Sequence, residues 1–187
     1  MKDTEKYILD EIKIRVWSGF YSPDEVNEMV YYLLENDADK TMLYSAVAAE
    51  LDKKAVAELL WPNETDCDRL DATFEMLNAN GIIALHNAGN TMSDGFSDVD
   101  GVIYDRGREN VKGYCFYHSQ DLESAVKGDG LNLAFGDLDD DEIETVKIGN
   151  LIKDVLETNG FTVEWNSHLR EKISIPTFDW KRRRSVA

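Results

Sequence analysis

The sequence is poor in basic residues, cysteine and proline, and each shortage excludes a class of protein. Only 20 residues are lysine or arginine, against 37 aspartates and glutamates, so the formal charge is −17. A field of that sign repels nucleic-acid phosphates and anionic lipids, so we expect neither a nucleic-acid nor a membrane partner. Two cysteines without a CxxC spacing provide no disulfide framework. Three prolines and no low-complexity tract argue against disorder.

Long hydrophobic runs are also missing. No segment approaches the ~18 apolar residues that a membrane span needs. The charged stretch 1–6 leads directly into an amphipathic segment rather than into a signal peptide. We therefore expect a cytoplasmic protein. The dense basic run from Lys181 to Arg184 is expected to be solvated or to pair with acids of the same chain, with phosphate contact as the alternative.

The motifs of common enzyme classes are absent. The sequence contains no GxSxG, no GxxxxGK[ST], no GxGxxG and no HExxH. His86, His118 and His168 do not lie at a metal-binding i, i+4 spacing, and Cys115 lies within an apolar strand where burial is favoured over nucleophilic chemistry. We expect no metal and no cofactor. We favour a protein without catalytic activity and leave an enzyme open.

Hydrophobic periodicity predicts four helices first, and then strands that alternate with helices. The four helices are predicted over 3–20, 23–35, 40–60 and 65–80, and the later ones over 121–127 and 141–159. Strands are predicted over 82–86, 111–118, 131–135, 161–165 and 173–175, and 88–101 is predicted to be a loop.

This order of elements predicts an α+β protein. We expect an N-terminal helical bundle packed on a four- or five-stranded sheet that helices cover on one face. The helical N-terminal part is predicted over 1–62 and the α+β part over 63–187, within one compact domain overall.

The densest charge is an acidic run near the start of the last long helix. It cannot form an EF-hand, because the sixth position lacks glycine and the twelfth lacks glutamate. We interpret it as a solvated loop whose acids favour the helix N-terminus, with a protein-binding patch as the alternative. The residues concerned are Asp137, Asp139, Asp140, Asp141 and Glu142.

Two further features suggest binding. His86 and His118 are predicted to follow strands on either side of the 88–101 loop, where a small-ligand pocket could form, although solvent-facing histidines would explain the pattern as well. The N-terminal part is rich in aromatics, which are core residues unless several are exposed on one face, as at a protein interface. They are Tyr7, Trp17, Tyr21, Tyr31, Tyr32, Tyr44 and Trp61.

Three segments carry a resemblance to a known family. They are the "WP…TDCDRLD" string over 61–71, the "GYCFYHSQDLE" string over 113–123 and the "VEW" string over 163–165. Together they resemble the bacterial DUF6891 family, and the match covers most of the chain after about residue 10. The resemblance implies a bacterial cytoplasmic protein and no particular activity.

The resemblance also bears on candidate site residues. Many members of the family carry a "CCxxCG" string in the loop after the first strand, but Asn90, Thr91 and Asp94 stand at its cysteine positions here. A thiolate site is therefore not implied for this chain. A shared polar cluster after the second strand is implied, either for ligand contact or, as we favour, for capping of a short helix. Its members are His118, Gln120, Asp121 and Glu123.

The sequence therefore supports three hypotheses. The first is a non-enzymatic protein that engages a basic protein through its acidic surface, as immunity and antitoxin-like proteins do. The second is a small-ligand-binding protein or enzyme with its site near His86, the 88–101 loop and His118. The third is a module that dimerises through its aromatic helices, so that both a monomer and a homodimer remain open.

Overall fold

A computed structural model describes residues 2–184, and over this range the chain divides into two compact units. The helical unit contains residues 2–65 and 180–184, and the sheet unit contains residues 66–179. Helices alone come first and a four-stranded mixed sheet with its own helices follows. The predicted α+β class is therefore confirmed.

Three helices form the helical unit: α1 (Asp3–Ser18), α2 (Pro23–Leu33) and α3 (Lys40–Glu58). Ser22 caps α2, because its hydroxyl accepts a hydrogen bond from the Glu25 amide while the Glu25 carboxylate accepts one from the Ser22 amide. The apolar faces meet in one aliphatic core. Its buried members are Ile8, Ile12, Val16, Val26, Met29, Val30, Leu43 and Val47.

Residues 180–184 of the C-terminal segment belong to the helical unit, although they fall within the α+β part predicted over 63–187. Trp180 is buried there and donates its indole N–H to the carbonyl oxygen of Ser18 at 3.2 Å. The Arg182 guanidinium lies 4.6 Å from the centre of the Phe20 ring. Arg183 donates to the carbonyl of Pro62 at 2.7 Å. The basic run therefore packs on aromatic rings and backbone of its own chain.

The sheet unit contains four strands in the order β1-β2-β3-β4, with β1 parallel to β2 and the other neighbours antiparallel. The strands are β1 (Ile82–Leu85), β2 (Gly113–Phe116), β3 (Leu131–Asp137) and β4 (Ile173–Ile175). The helices are α4 (Asp66–Ala79), α5 (Met92–Arg106), α6 (Ser119–Lys127) and α7 (Glu142–Thr158), with a short 3-10 helix at Arg108–Asn110.

Helices cover both faces of this sheet rather than one. Neighbouring residues of a strand point to opposite faces. A methyl group on Gly95 of α5 would lie 2.3 Å from the Phe116 ring, and one on Gly113 would lie 2.5 Å from Ile148 of α7. Since Gly113 and Phe116 differ by an odd number of positions, α5 and α7 pack on opposite faces.

The prediction that 88–101 is a loop is wrong for most of that stretch. Residues from Met92 onward form α5, whose N-terminus is closed by reciprocal hydrogen bonds between Thr91 and Asp94. Glycine and aspartate content pointed to a loop, but Gly95 is required for the close approach to Phe116. Tertiary packing overrides the low helix propensity of this stretch.

The strand predicted over 161–165 is also wrong. The stretch makes a single bridge, in which Glu164 and Ser174 exchange backbone hydrogen bonds of 2.9 and 3.0 Å. Phe161 and Trp165 instead contribute their rings to packing, with Phe161 stacked on Phe178 at 5.7 Å and Trp165 edge-on to Phe135 at 5.0 Å. The alternation of apolar and polar residues over 161–165 is therefore explained by the packing of these rings, although the same alternation is typical of a strand.

Candidate functional sites

The two candidate histidines follow the parallel strands β1 and β2, so both lie at the carboxyl edge of this strand pair. The loops that leave the two strands are tied together. The Ser119 hydroxyl lies 2.8 Å from the carbonyl oxygen of Gly89 and 3.0 Å from the side-chain oxygen of Asn90. These hydrogen bonds hold the loop after β1 and the loop after β2 together at the carboxyl edge of the strand pair.

His118 and Asp121 together close the N-terminus of α6. The His118 ring Nδ1 accepts a hydrogen bond from the Gln120 amide at 3.2 Å, and the Asp121 carboxylate accepts one from the His118 amide at 3.4 Å. Lys172 completes the cluster, with its ammonium 2.7 and 2.8 Å from the two Asp121 oxygens and 3.2 Å from the His118 Nε2. His118 and Asp121 therefore cap α6, which is the interpretation that the sequence favours.

Burial determines the charge state of His118. Desolvation lowers the pKa of the imidazole and the Lys172 ammonium lowers it further, while the Asp121 carboxylate acts in the opposite direction. The net direction is downward, so the ring is neutral at neutral pH. A neutral ring can accept the Gln120 hydrogen bond, as capping requires.

The other two polar residues after β2 do not join this cluster. The Gln120 side chain is exposed, and only its backbone contacts His118. Glu123 forms an ion pair with Lys127 one turn along α6. These four residues therefore divide between capping and the helix surface.

His86 lies in separate surroundings. Its ring stacks on Phe74 at 4.4 Å, its Nδ1 lies 3.0 Å from the Tyr117 hydroxyl, and its Nε2 lies 3.3 Å from Asp71. It also lines an open groove of about 510 Å³ along α5, together with Asp98 and Asp105. His118 is buried and does not line that groove.

Three residues of the acidic run make contacts within their own chain. Asp137 is buried and accepts hydrogen bonds from the Thr145 hydroxyl and the Asp139 amide, both at 2.9 Å. Burial alone would raise its pKa, but these hydrogen bonds hold it below the usual value. Asp139 pairs with Arg108, and Asp141 caps α7. Asp139, Asp140, Asp141 and Glu142 are all exposed.

A different acidic surface lies in the helical unit, where tyrosines and glutamates of α1 and α2 surround a groove of about 420 Å³. We call it the tyrosine–glutamate groove. Tyr7 and Tyr32 are 53% and 73% exposed at its edge, and Tyr31, 68% exposed, packs edge-on against Tyr32. The lining residues are Tyr7, Glu11, Arg15, Tyr21, Glu25, Glu28, Met29, Tyr32 and Leu33.

The groove already holds one guanidinium. The Arg15 Cζ lies 4.7 Å from the centre of the Tyr21 ring, and its Nε lies 3.7 Å from a Glu11 carboxylate oxygen. This Nε is buried and has no hydrogen-bond partner among residues 2–184. Hydrogen bonds with Ser22 lower the pKa of Glu25, and the charge of Arg15 lowers it further. The surface thus combines aromatic rings and carboxylates around a cation.

The model of the family described as a domain of unknown function, DUF6891, matches residues 1–184. The chain belongs to the DUF6891 family. This membership confirms the resemblance carried by the strings at 61–71, 113–123 and 163–165. No curated protein and no solved structure matches the chain.

In this DUF6891 protein both cysteines are buried within the sheet unit and neither is in a disulfide. Burial raises the pKa of the Cys115 thiol well above its usual value, which disfavours the nucleophilic thiolate. Across residues 2–184 no three histidine, cysteine, aspartate or glutamate side chains are grouped as metal ligands require. In the same range no helix is long and apolar enough to cross a membrane.

Sequence reasoning missed two residues of these DUF6891 surfaces. Lys172 contacts His118 and Asp121, from which it is distant in sequence, so no local sequence pattern predicts the contact. Arg15 could have been noticed, because it follows Glu11 by four residues on a predicted helix, the spacing at which an ion pair forms. Its stack on Tyr21 depends on the turn between α1 and α2.

Proposed function

We propose that this DUF6891 protein is a non-enzymatic, cytoplasmic bacterial protein that binds a basic protein, as immunity and antitoxin-like proteins do. The observation that carries the proposal is the tyrosine–glutamate groove, where Tyr7 and Tyr32 are largely exposed beside Glu11, Glu25 and Glu28. Single exposed aromatic side chains are common on protein surfaces, whereas several grouped around one groove are typical of a surface that a partner covers.

The chemistry of the groove suits a cationic partner. Tyrosine is enriched among the residues that dominate binding energy at protein interfaces, and carboxylates around it select lysine and arginine. Arg15 on Tyr21 is an internal example of such a contact. The overall charge of −17 would speed the approach of a basic partner and make association sensitive to salt.

The test is affinity purification from cell lysate at low and high salt with three forms of the protein. The groove variant carries Glu28→Gln and Tyr32→Ala. The control carries Glu75→Gln and Tyr104→Ala, which remove the same charge and the same ring from exposed positions in the sheet unit. We expect the native protein and the control to retain a salt-sensitive basic protein that the groove variant loses.

Loss of one aromatic anchor corresponds to about 2 kcal/mol, or about thirtyfold in affinity, when measured with the purified partner. Equal retention by both variants, or recovery of a partner that is not basic, would contradict the proposal. Light scattering of the free protein separates this function from self-association, because a homodimer formed through the tyrosines would revert to a monomer in the groove variant.

A further inference from the structure

A second groove, of about 610 Å³, lies in the sheet unit between the start of α7 and the loop that precedes β4. We call it the α7 groove. Its volume falls within the range of small-molecule sites. It is lined by Glu142, Ile143, Val146, Lys147, Ser167, His168, Leu169 and Arg170.

The α7 groove contains one carboxylate and one guanidinium that do not neutralise each other. Among residues 2–184, neither Glu142 nor Arg170 has an ion-pair partner, so the two groups are more than 4.0 Å apart. Lys147, the other cation of the lining, is occupied by Glu144 at 2.6 Å, and this contact raises the pKa of the ammonium. The free charges of the groove are therefore one of each sign.

Aliphatic surface accompanies these charges. Ile143 is 69% exposed although it is a large apolar residue, and Val146 and Leu169 line the groove with it. The α7 amides offer no anion site here, because Asp141 accepts from Ile143 and Glu144 at 2.8 and 3.0 Å. An anion in the groove must therefore be held by side chains.

We propose that the α7 groove binds a zwitterion with an apolar body, namely an amino acid with an aliphatic side chain or a short peptide of such residues. The ammonium of the ligand would pair with Glu142, and its carboxylate would accept the paired N–H groups of Arg170. The aliphatic side chain would cover Ile143, Val146 and Leu169, removing apolar surface from water. This inference concerns a site in the sheet unit and does not rest on the proposed protein partner.

His168 and Ser167 offer further donors. The His168 Nδ1 accepts a hydrogen bond from the Arg170 amide at 3.3 Å, which leaves the ring N–H on Nε2. That N–H and the Ser167 hydroxyl belong to lining residues of the groove and are further donors for the ligand carboxylate. The loop between Asn166 and Glu171 is held by their side-chain hydrogen bond of 2.8 Å.

The experiment uses the full chain and four probes followed by amide NMR shifts: leucine, leucyl-leucine, N-acetyl-leucine and leucinamide. We expect leucine or leucyl-leucine to shift residues of the α7 groove. N-acetyl-leucine lacks the ammonium and leucinamide lacks the carboxylate, so each should bind about tenfold more weakly. A response to leucine identifies a free amino acid as ligand, and a response to leucyl-leucine alone identifies a peptide.

Glu142→Gln and Arg170→Gln provide the matched variants. Both positions are exposed, so the fold should tolerate the changes, which circular dichroism verifies. Each should weaken binding of the zwitterion by about tenfold. Lys153→Gln, on the same helix but outside the groove, should leave binding unchanged. Absence of binding by both zwitterions, or binding that neither groove variant weakens, would overturn the proposal.

Discussion

Lys172 and Asp121 form a two-point contact, in which the lysine ammonium lies 2.7 and 2.8 Å from the two carboxylate oxygens. The contact joins the start of α6 to the residue immediately before β4. The Asp121 side chain is only 8% exposed, so its negative charge depends on this partner.

Replacement of Lys172 by methionine should therefore destabilise the sheet unit. Asp121 would keep its hydrogen bond from the His118 amide but lose the compensating charge. Because the lysine side chain is 31% exposed, we expect a loss of about 1–3 kcal/mol in the free energy of unfolding, less than for a fully buried pair. Urea unfolding measures it. Lys153→Met, which removes a looser contact with Glu157, should change stability by less than about 0.5 kcal/mol.

The neutral state of His118 predicts a pH dependence of stability. The pKa of the folded ring is lowered, chiefly by burial, so near the ordinary value of about 6.5 the unfolded chain binds a proton that the folded chain does not. Stability should therefore fall as pH decreases from about 7.5 to about 5.5. The charges that face the ring are those of Asp121 and Lys172.

His118→Asn isolates this contribution, because asparagine also caps helices but does not titrate. The free energy of unfolding, measured by urea titration across this pH range, should decrease less steeply for the variant than for the native protein. The two proteins differ only at residue 118, so a difference between their slopes is due to His118. Identical slopes would show that the His118 proton affinity does not differ between the folded and unfolded chains.

Gly149 of α7 should not tolerate a methyl group. A Cβ there would lie 2.3 Å from the Trp165 ring and 2.8 Å from the Phe135 ring. We expect Gly149→Ala to lower the free energy of unfolding by about 1–3 kcal/mol, because the two rings must move apart. Thermal or urea unfolding provides the measurement. A neutral result would mean that the indole shifts without loss of packing.

Gly101 of α5 provides a control for Gly149, because we expect the same substitution to stabilise the protein there. A Cβ at this position meets no atom within 4 Å, and the residue is exposed in the interior of the helix. Gly101→Ala should raise the free energy of unfolding by about 0.5–1 kcal/mol, because alanine loses less backbone entropy than glycine in a helix. The same assay compares both glycines, and destabilisation by Gly101→Ala would contradict the described position of α5.

The cysteines should be unreactive in the folded protein. Cys67 and Cys115 are buried, and burial raises the pKa of the Cys115 thiol. Alkylation by iodoacetamide at about pH 8 should be slow in buffer and rapid in urea, as followed by mass spectrometry. Rapid modification of Cys115 in buffer would indicate that β2 opens locally, and Cys115→Ser would identify the labelled thiol.

Local chemistry determined how much of the fold could be predicted. Elements with strong end signals were placed within a few residues, as for α2 with Ser22 and Pro23 at its start. The glycine, asparagine, serine and aspartate content of 88–101 predicts a loop where α5 begins, although Thr91 and Asp94 have the spacing of a capping pair. The need for Gly95 against Phe116 is a tertiary property that no local window contains.

The candidate sites were harder to predict for the same reason. The short range from His118 to Asp121 made capping recognisable, but Lys172 joins them from a distant part of the chain. The α7 groove likewise depends on the placement of Arg170 and Glu142 along the same cavity. Contacts between residues that are distant in sequence depend on the folded topology. A local sequence pattern can therefore identify one partner of such a contact but not the other.

The burial of Trp180 among the N-terminal helices has a consequence for the order of folding during synthesis. All residues of the sheet unit emerge from the ribosome before Trp180, whereas the helical unit, begun first, lacks its closing segment until then. The sheet unit can thus fold while the earlier helices still expose the place that the indole will fill. A released chain truncated before Trp180 would contain every residue of the sheet unit and lack the closing segment of the helical unit.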